Sequence, residues 1–481
     1  MASILIGGQP GFHRRIGLAP GAEYLSYAGV DTDRSPVVFT DAAENGARLL
    51  LHEWSLPTGV PGDGGSLFEL MMDRARRDGL LQVCPLGNLN GAGKQIERVA
   101  DGTVALPFVV GDGFFDGQRT LPYSQVILHL AWTSDAVPSA LRWRLPSGES
   151  VAMEVDSEPR GLGDETQYAA GLDRTSRGTR WLIVYLWRES RPEAGIAAGE
   201  WAVEVDGLPA GTVVHGRVGD AYSGWSPGVA WADPTVGRST LTYPSTADSA
   251  IGVAAYGGRA DIDVLGGGGV GELRGYSGRG PRIDGAHAVD IAAPDDPLAA
   301  LSSSSLPEFP RGHSSLFVPF GGTSGAGPHV AAALALLAEK HPAWGADELE
   351  AALLGAAEGD GLSPDLGAVP NEGWGVGKLR THRALYGMDA VEENGAPWVE
   401  RVVVDGMGLM VEASDAEGDG VWFRVDWDYD GVWEGEWQED GWFGWDGRYG
   451  AGDDVVVRVG VCGMARGAGE RIGLVVPGRG G

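Results

Sequence analysis

The residues that could do chemistry in this chain begin with Gly321-Gly322-Thr323-Ser324-Gly325-Ala326-Gly327-Pro328, which runs into His329 and the small, apolar helical segment Val330 to Leu337. A glycine-threonine-serine turn at a helix start bares one hydroxyl, that of Ser324. The free N–H groups and the helix dipole at such a position stabilise an oxyanion as it forms. The chemistry suggested is nucleophilic attack by Ser324. A plain glycine-rich turn with a serine cap has the same composition. Gly87-Asn88 follows the apolar run Leu80 to Leu86 and puts a side-chain amide, a possible second donor to an oxyanion, at a strand end. A Gly-Asn pair is also an ordinary turn. In a third group, Asp426, Asp428 and Asp430 recur at every second position and end in Gly431. The opening of calcium loops has this form. The twelfth position counted from Asp426 is Trp437 instead of glutamate, so no EF-hand is expected, although Glu434 or Glu436 could substitute. The other reading is a solvated strand-turn.

These residues need elements to hold them. Phe68 to Arg77 has the spacing of an amphipathic helix, closed by Asp78-Gly79 ahead of the Leu80 strand. With a hydroxyl-bearing turn, a Gly-Asn strand end and such helices in this order, the chain resembles the subtilisin-like serine proteases, the subtilases. Gly-Thr-Ser-x-Ala-x-Pro-His is that family's nucleophile motif, and Leu86-Gly87-Asn88 is similar to its oxyanion strand. Gly46 to Leu56 resembles the strand whose Ser-x-Gly end lines the substrate cleft, with Pro57 in place of the glycine. Tyr243 to Ala247, Ala250 to Tyr256, Tyr276 to Pro281, Val289 to Pro294, Leu349 to Ala357 and Gly373 to Gly377 continue the resemblance downstream.

The resemblance implies a doubly wound, mostly parallel α/β sheet with helices on both faces, and peptide-bond hydrolysis through an acyl-enzyme. Ser324 would be the nucleophile and Asn88 the oxyanion donor, while Ser55, Leu56, Leu86 and Gly87 would bind substrate. The family also uses an Asp and a His in a His-Gly-Thr motif. None of the nine histidines is followed by Gly-Thr, and His329 is a structural residue by analogy. Ala2 to Gly8 is similar to the continuation of that motif, with Met1 on its valine. A GTG codon reads as valine within a frame and as methionine at a start. The expectation is a frame opened at that codon, with the Asp, the His and a leader upstream, so that the chain as given is inactive. The alternative is a non-catalytic, subtilase-like binding protein.

Composition sets outer bounds. A chain of 481 residues holds two or three domains. A net charge of −30 argues against nucleic acid and anionic membranes as partners. No apolar run reaches a membrane span. The expected partner is a protein or peptide substrate, with no cofactor required and calcium conceivable at the aspartates. The acidic, lysine-poor, glycine- and tryptophan-rich character fits a secreted bacterial protein. Cys84 and Cys462 are expected to be unpaired, Cys84 as a core residue.

Four segments are expected. Residues 1–95 and 226–387 form the two parts of the α/β domain. Residues 96–225 form an inserted β-sandwich or jelly roll, with strands at Val126–Trp132, Leu141–Leu145, Val151–Val155, Trp181–Trp187 and Trp201–Val205. Its function would be a wall of the substrate cleft, or only stabilisation. Residues 388–481 resemble an Ig-like, PKD-type module.

Overall fold

In the computed structural model the described residues are 1–8, 16–27, 35–163, 165–188, 195–259, 268–300, 317–359, 366–387, 398–405, 408–414, 421–426, 434–444, 457–463 and 471–475. The chain falls into two units, one made of Met1 with Glu23–Leu385 and the other of Ala2–Ala22 with Tyr386–Gly481.

A four-stranded parallel sheet organises the first unit. Its order is Leu49–Leu51, Leu81–Pro85, Ala250–Gly257 and Ile291–Asp295. Leu51 pairs with Val83, Pro85 with Val253, and Val253 with Ile291. Leu81–Pro85 is buried at every position. Near-continuous apolar runs of this kind belong to parallel strands covered on both faces.

Two helices cover the sheet for different reasons. Leu67–Arg77 starts with a capping box. The Ser66 hydroxyl accepts from the Glu69 N–H at 3.3 Å, and the Glu69 carboxylate accepts from the Ser66 N–H at 3.1 Å. Its stripe of Phe68, Met72 and Ala75 packs with Phe39, Tyr243 and Cys84. Thr323–Lys340 instead is short-chained on its inner side, where Ala326, Val330, Ala333, Leu334 and Leu337 are buried. Small side chains let it lie across all four strands. Ala346–Gly355 follows it as the expected closing helix.

Between Leu81–Pro85 and Ala250–Gly257 the chain forms antiparallel strands only. One sheet has six strands and includes Gln125–Trp132, Arg180–Arg188 and Val213–Asp220. The other has five and includes Gly102–Val110, Ala140–Arg144 and Gly199–Leu208. Their inward residues share one core, with Leu128, Leu130 and Val184 from the first sheet and Phe108, Trp143 and Trp201 from the second. The strands run from Gln95 to Trp231, a few residues beyond the expected boundaries. The entry and exit of this segment are hydrogen-bonded neighbours. The Trp231 N–H donates to Gly93 O at 2.9 Å, and the Thr235 N–H to Gln95 O at 2.8 Å.

In the second unit Ala2–Leu5 is helical. Trp398–Asp405, Gly408–Ser414 and Trp442–Gly444 form one antiparallel sheet, and four strands between Val421 and Val475 form another. Asp426 ends one of these strands, whereas Asp428 and Asp430 lie outside the described residues, as do the acidic side chains of the expected calcium loop. Among the described residues no helix is long and apolar enough to cross a membrane, and no cluster of His, Cys, Asp or Glu could hold a metal.

Candidate active site at the carboxyl edge of the sheet

In a parallel sheet every strand ends at the same edge, and binding sites collect there. Glu53 lies just past Leu49–Leu51 and Asn88 just past Leu81–Pro85. The helix Thr323–Lys340 begins at the same edge. A small, partly open cleft is lined by His52, Glu53, Trp54, Ser55, Pro85, Gly87, Asn88, Trp225, Thr323 and Ser324.

The turn that presents Ser324 depends on Gly322, the residue before the helix, at φ 96°. A β-carbon there would be strained by that angle and would stand 2.9 Å from Asn88 Nδ2. Ser324 is the second residue of the helix, so its N–H belongs to the first turn, which lacks intrahelical acceptors. Pro328 has no N–H to return to the Ser324 carbonyl four residues earlier.

Asn88 is held by one neighbour. Its Oδ1 accepts from the Thr323 N–H at 2.9 Å and from the Thr323 hydroxyl at 3.1 Å. The same hydroxyl accepts from the Gly87 N–H at 3.0 Å. With Oδ1 engaged, Nδ2 is the end of the amide left to donate. A preorganised donor of this kind, beside a helix N-terminus, is suited to an oxyanion.

The substrate-side residues divide. Ser55 and Gly87 line the cleft, and Leu56 and Leu86 do not. Leu86 is fully buried, in a core with Leu241, Val289 and Trp374. Its N–H donates to Val253 O and its carbonyl accepts from Thr242. Leu56 is exposed, and its N–H donates to Tyr243 O at 3.0 Å. The strand edge after Ser55 therefore pairs with the chain itself, next to Pro57.

Two histidines lie close by, and both are held neutral by burial. His52 is lowered to about 4, bonded through Nε2 to Gln82 Oε1 at 2.8 Å and packed against Phe39 and Phe68. His329 is lowered too, with Nδ1 at 2.9 Å from Gly325 O. Neither ring is arranged to take a proton from Ser324.

Glu53 is the titratable group on the cleft wall that sequence reasoning missed. Burial pushes its carboxyl up to about 8, opposed first by the Ser324 hydroxyl and then by the Met1 α-ammonium. Both oxygens are buried, and neither completes a hydrogen bond of regular geometry. Its signal was present in the sequence: a carboxylate in the run Leu49-Leu50-Leu51-His52-Glu53-Trp54 is costly to bury and marks a site. Thr323 was visible as part of the motif, though not as the residue that orients Asn88. Trp225 had no sequence signal linking it to the cleft.

Residues 233–377 match the Peptidase_S8 model, the subtilase family. The match includes Ser324 and the two later strands of the sheet. Among solved structures the chain is similar to the CspB protease of Clostridium perfringens, with a TM-score of 0.60 at 18% identity over 82% of this chain and 80% of that one. At that identity the likeness is one of fold. Weaker similarities are to a psychrophilic protease, S41 (TM-score 0.37, 14% identity, 78% and 74% covered), and to the MycP3 protease of the type VII (ESX-3) secretion system (0.32, 16%, 80% and 71%). These two carry no further argument.

Proposed function

We propose that this chain, with its subtilase-like parallel sheet, is a serine-type endopeptidase in which Ser324 attacks the substrate carbonyl and forms an acyl-enzyme. The observation that carries this reading is the placing of Ser324 at the helix start beside Asn88, whose amide Thr323 orients. The Ser324 Oγ bonds to the carbonyl carbon, and the carbonyl electron pair moves to oxygen. There the Ser324 N–H and Asn88 Nδ2 receive the charge. On collapse the amine leaves with the proton that Ser324 gave up, and water then cleaves the acyl ester, releasing the acid and returning a proton to Ser324 Oγ. The subtilase match over residues 233–377 supports a peptide or protein substrate.

The residues of the subtilase Asp and His motifs are not in this sequence. Without those two groups, turnover of protein substrates by residues 1–481 is expected to be weak; the oxyanion hole by itself provides roughly 10³–10⁴ over water. The two antiparallel sheets between Gln95 and Trp231 are read as an inserted β-sandwich, supported by their shared core and adjoining ends. Trp225 makes this segment a wall of the cleft. The strands after residue 397 are read as an Ig-like module, and the protein as secreted.

Labelling with a fluorophosphonate, followed by peptide mapping, tests the nucleophile. Modification of Ser324 that vanishes in Ser324→Ala is the expected result, and Asn88→Ala should slow it by about 10²–10³. A folded chain that takes no label at Ser324 would overturn the nucleophile reading for residues 1–481.

A further inference from the structure

We infer that Glu53 is the proton acceptor for the Ser324 hydroxyl in this chain, a catalytic carboxylate on the wall of the cleft that holds the nucleophile. The inference rests on the nucleophile reading above and adds the group that activates it.

Three observations converge. Glu53 and Ser324 line one cleft, at the ends of elements that the parallel sheet brings to one edge. The Ser324 hydroxyl lies close enough to Glu53 to favour its ionised form. And the helix leaves room for this carboxylate: a methyl on Gly327 would stand 3.0 Å from Glu53 Oε1, 2.8 Å from Pro85 Cγ and 3.2 Å from Leu51 Cδ1.

Glu69 shows what a structural carboxylate looks like in the same molecule. It is also buried, but it accepts from the Ser66 N–H and from the Thr246 hydroxyl. Glu53 has both oxygens buried without such bonds. A buried carboxyl lacking internal partners is costly, and such groups recur where chemistry needs them.

The Met1 α-ammonium is the charge that acts on Glu53. The fully buried Cys84 thiol, which Glu53 helps to keep protonated, lies on the neighbouring strand. His52 is turned to Gln82. A carboxyl that titrates near 8 is matched to accepting and returning a proton at neutral to mildly alkaline pH.

The step balances within the chain. As Ser324 Oγ bonds to the acyl carbon, its proton moves to a Glu53 oxygen. As the tetrahedral adduct collapses, that proton goes to the leaving amine. In deacylation, water gives a proton to Glu53 and its oxygen to the acyl carbon, and the proton returns to Ser324. With a fluorophosphonate the Oγ–P bond forms, fluoride leaves and Glu53 takes the proton.

The test is the pH dependence of fluorophosphonate labelling of the 481-residue chain, in wild type, Glu53→Gln and Ser324→Ala. Wild-type labelling should rise with pH to a plateau, with its midpoint near 8. Glu53→Gln should lose ~10²-fold or more in rate, and the pH step with it. Carboxyl ¹³C NMR gives a second reading that does not depend on the Gln variant folding. In Ser324→Ala the Glu53 titration should move upward, because the hydroxyl that favours the anion is gone. Labelling of Ser324 that is equal in wild type and Glu53→Gln would overturn the role of Glu53 and leave the nucleophile reading intact. A Glu53 titration unmoved by Ser324→Ala would also overturn it. No labelling of folded wild type would overturn both readings.

Discussion

Thr323 is the residue that holds the Asn88 amide in place. Its hydroxyl both supports the Asn88 amide and accepts the Gly87 N–H. Thr323→Val keeps the shape and removes that hydroxyl, leaving a buried donor unpaired. The expected loss is about 1–3 kcal/mol of stability, measured by urea denaturation, together with slower labelling of Ser324. Unchanged labelling would mean that Asn88 needs no support. Gly327→Ala should push on Glu53 and Pro85 and cost about 1–3 kcal/mol by overpacking. If labelling and stability both stay at wild-type levels, the close approach of helix and carboxylate is not what it looks like. Glu53 also couples folding to pH. Its carboxyl is raised from 4.5 to about 8 in the folded protein, so folding favours the protonated acid. That contribution is whole below about 4.5 and is lost as pH climbs through about 8. Glu53→Gln should therefore flatten the fall in stability between about pH 5 and about pH 9, read from denaturant midpoints. A variant with the wild-type slope would place the titration elsewhere.

At the scale of elements, the helix Leu67–Arg77 is fixed by local rules and the helix Thr323–Lys340 by what it packs against. Ser66 and Glu69 cap the first reciprocally, and Glu69 continues inward to the Thr246 hydroxyl. Ser66→Ala should cost about 0.5–2 kcal/mol and leave the pH profile of Ser324 labelling unchanged, since Ser66 is not among the residues that line the cleft. A shifted profile would show that this helix helps to set the site. The capping box, the Phe68-Met72-Ala75 stripe and the closing Gly79 are all readable from spacing. The second helix has no side-chain cap and carries a proline in its first two turns. It holds its position through small residues laid across four strands, an arrangement that no local signal announces.

On the scale of the whole molecule, the site is an intersection of distant segments. The segment from Gln95 to Trp231 leaves and re-enters at adjoining points, so it interrupts the chain without separating the parallel strands. Ion pairs and a hydrogen bond tie it to the rest of the unit: Arg177 reaches Asp248 at 2.7 Å and Asp73 at 3.5 Å, and the Thr175 hydroxyl donates to Asp63 at 2.6 Å. Trp225 on the cleft wall belongs to this segment. Trp225→Ala should weaken peptide binding, raising KM or the concentration needed to protect Ser324 from labelling, with little change in denaturant midpoint. Protection identical to wild type would return the segment to a purely stabilising role.

What the sequence determined by itself was local. A hydroxyl at a helix start, a Gly-Asn strand end, an amphipathic helix with its stop and a series of alternating strands are encoded by residue type and spacing over a few positions. These were enough to anticipate the parallel sheet and most of the antiparallel strands, and to single out Ser324 and Asn88 as candidates. Only the tertiary structure decided which side chains share the cleft. Leu86 turned into the core because its strand is covered on both faces, and Leu56 turned to Tyr243 because the chain pairs with its own edge. Glu53 and Trp225 joined the site because strand ends and a returning loop meet at one edge of the sheet. Proximity between segments so far apart is a product of packing, and spacing along the chain does not carry it.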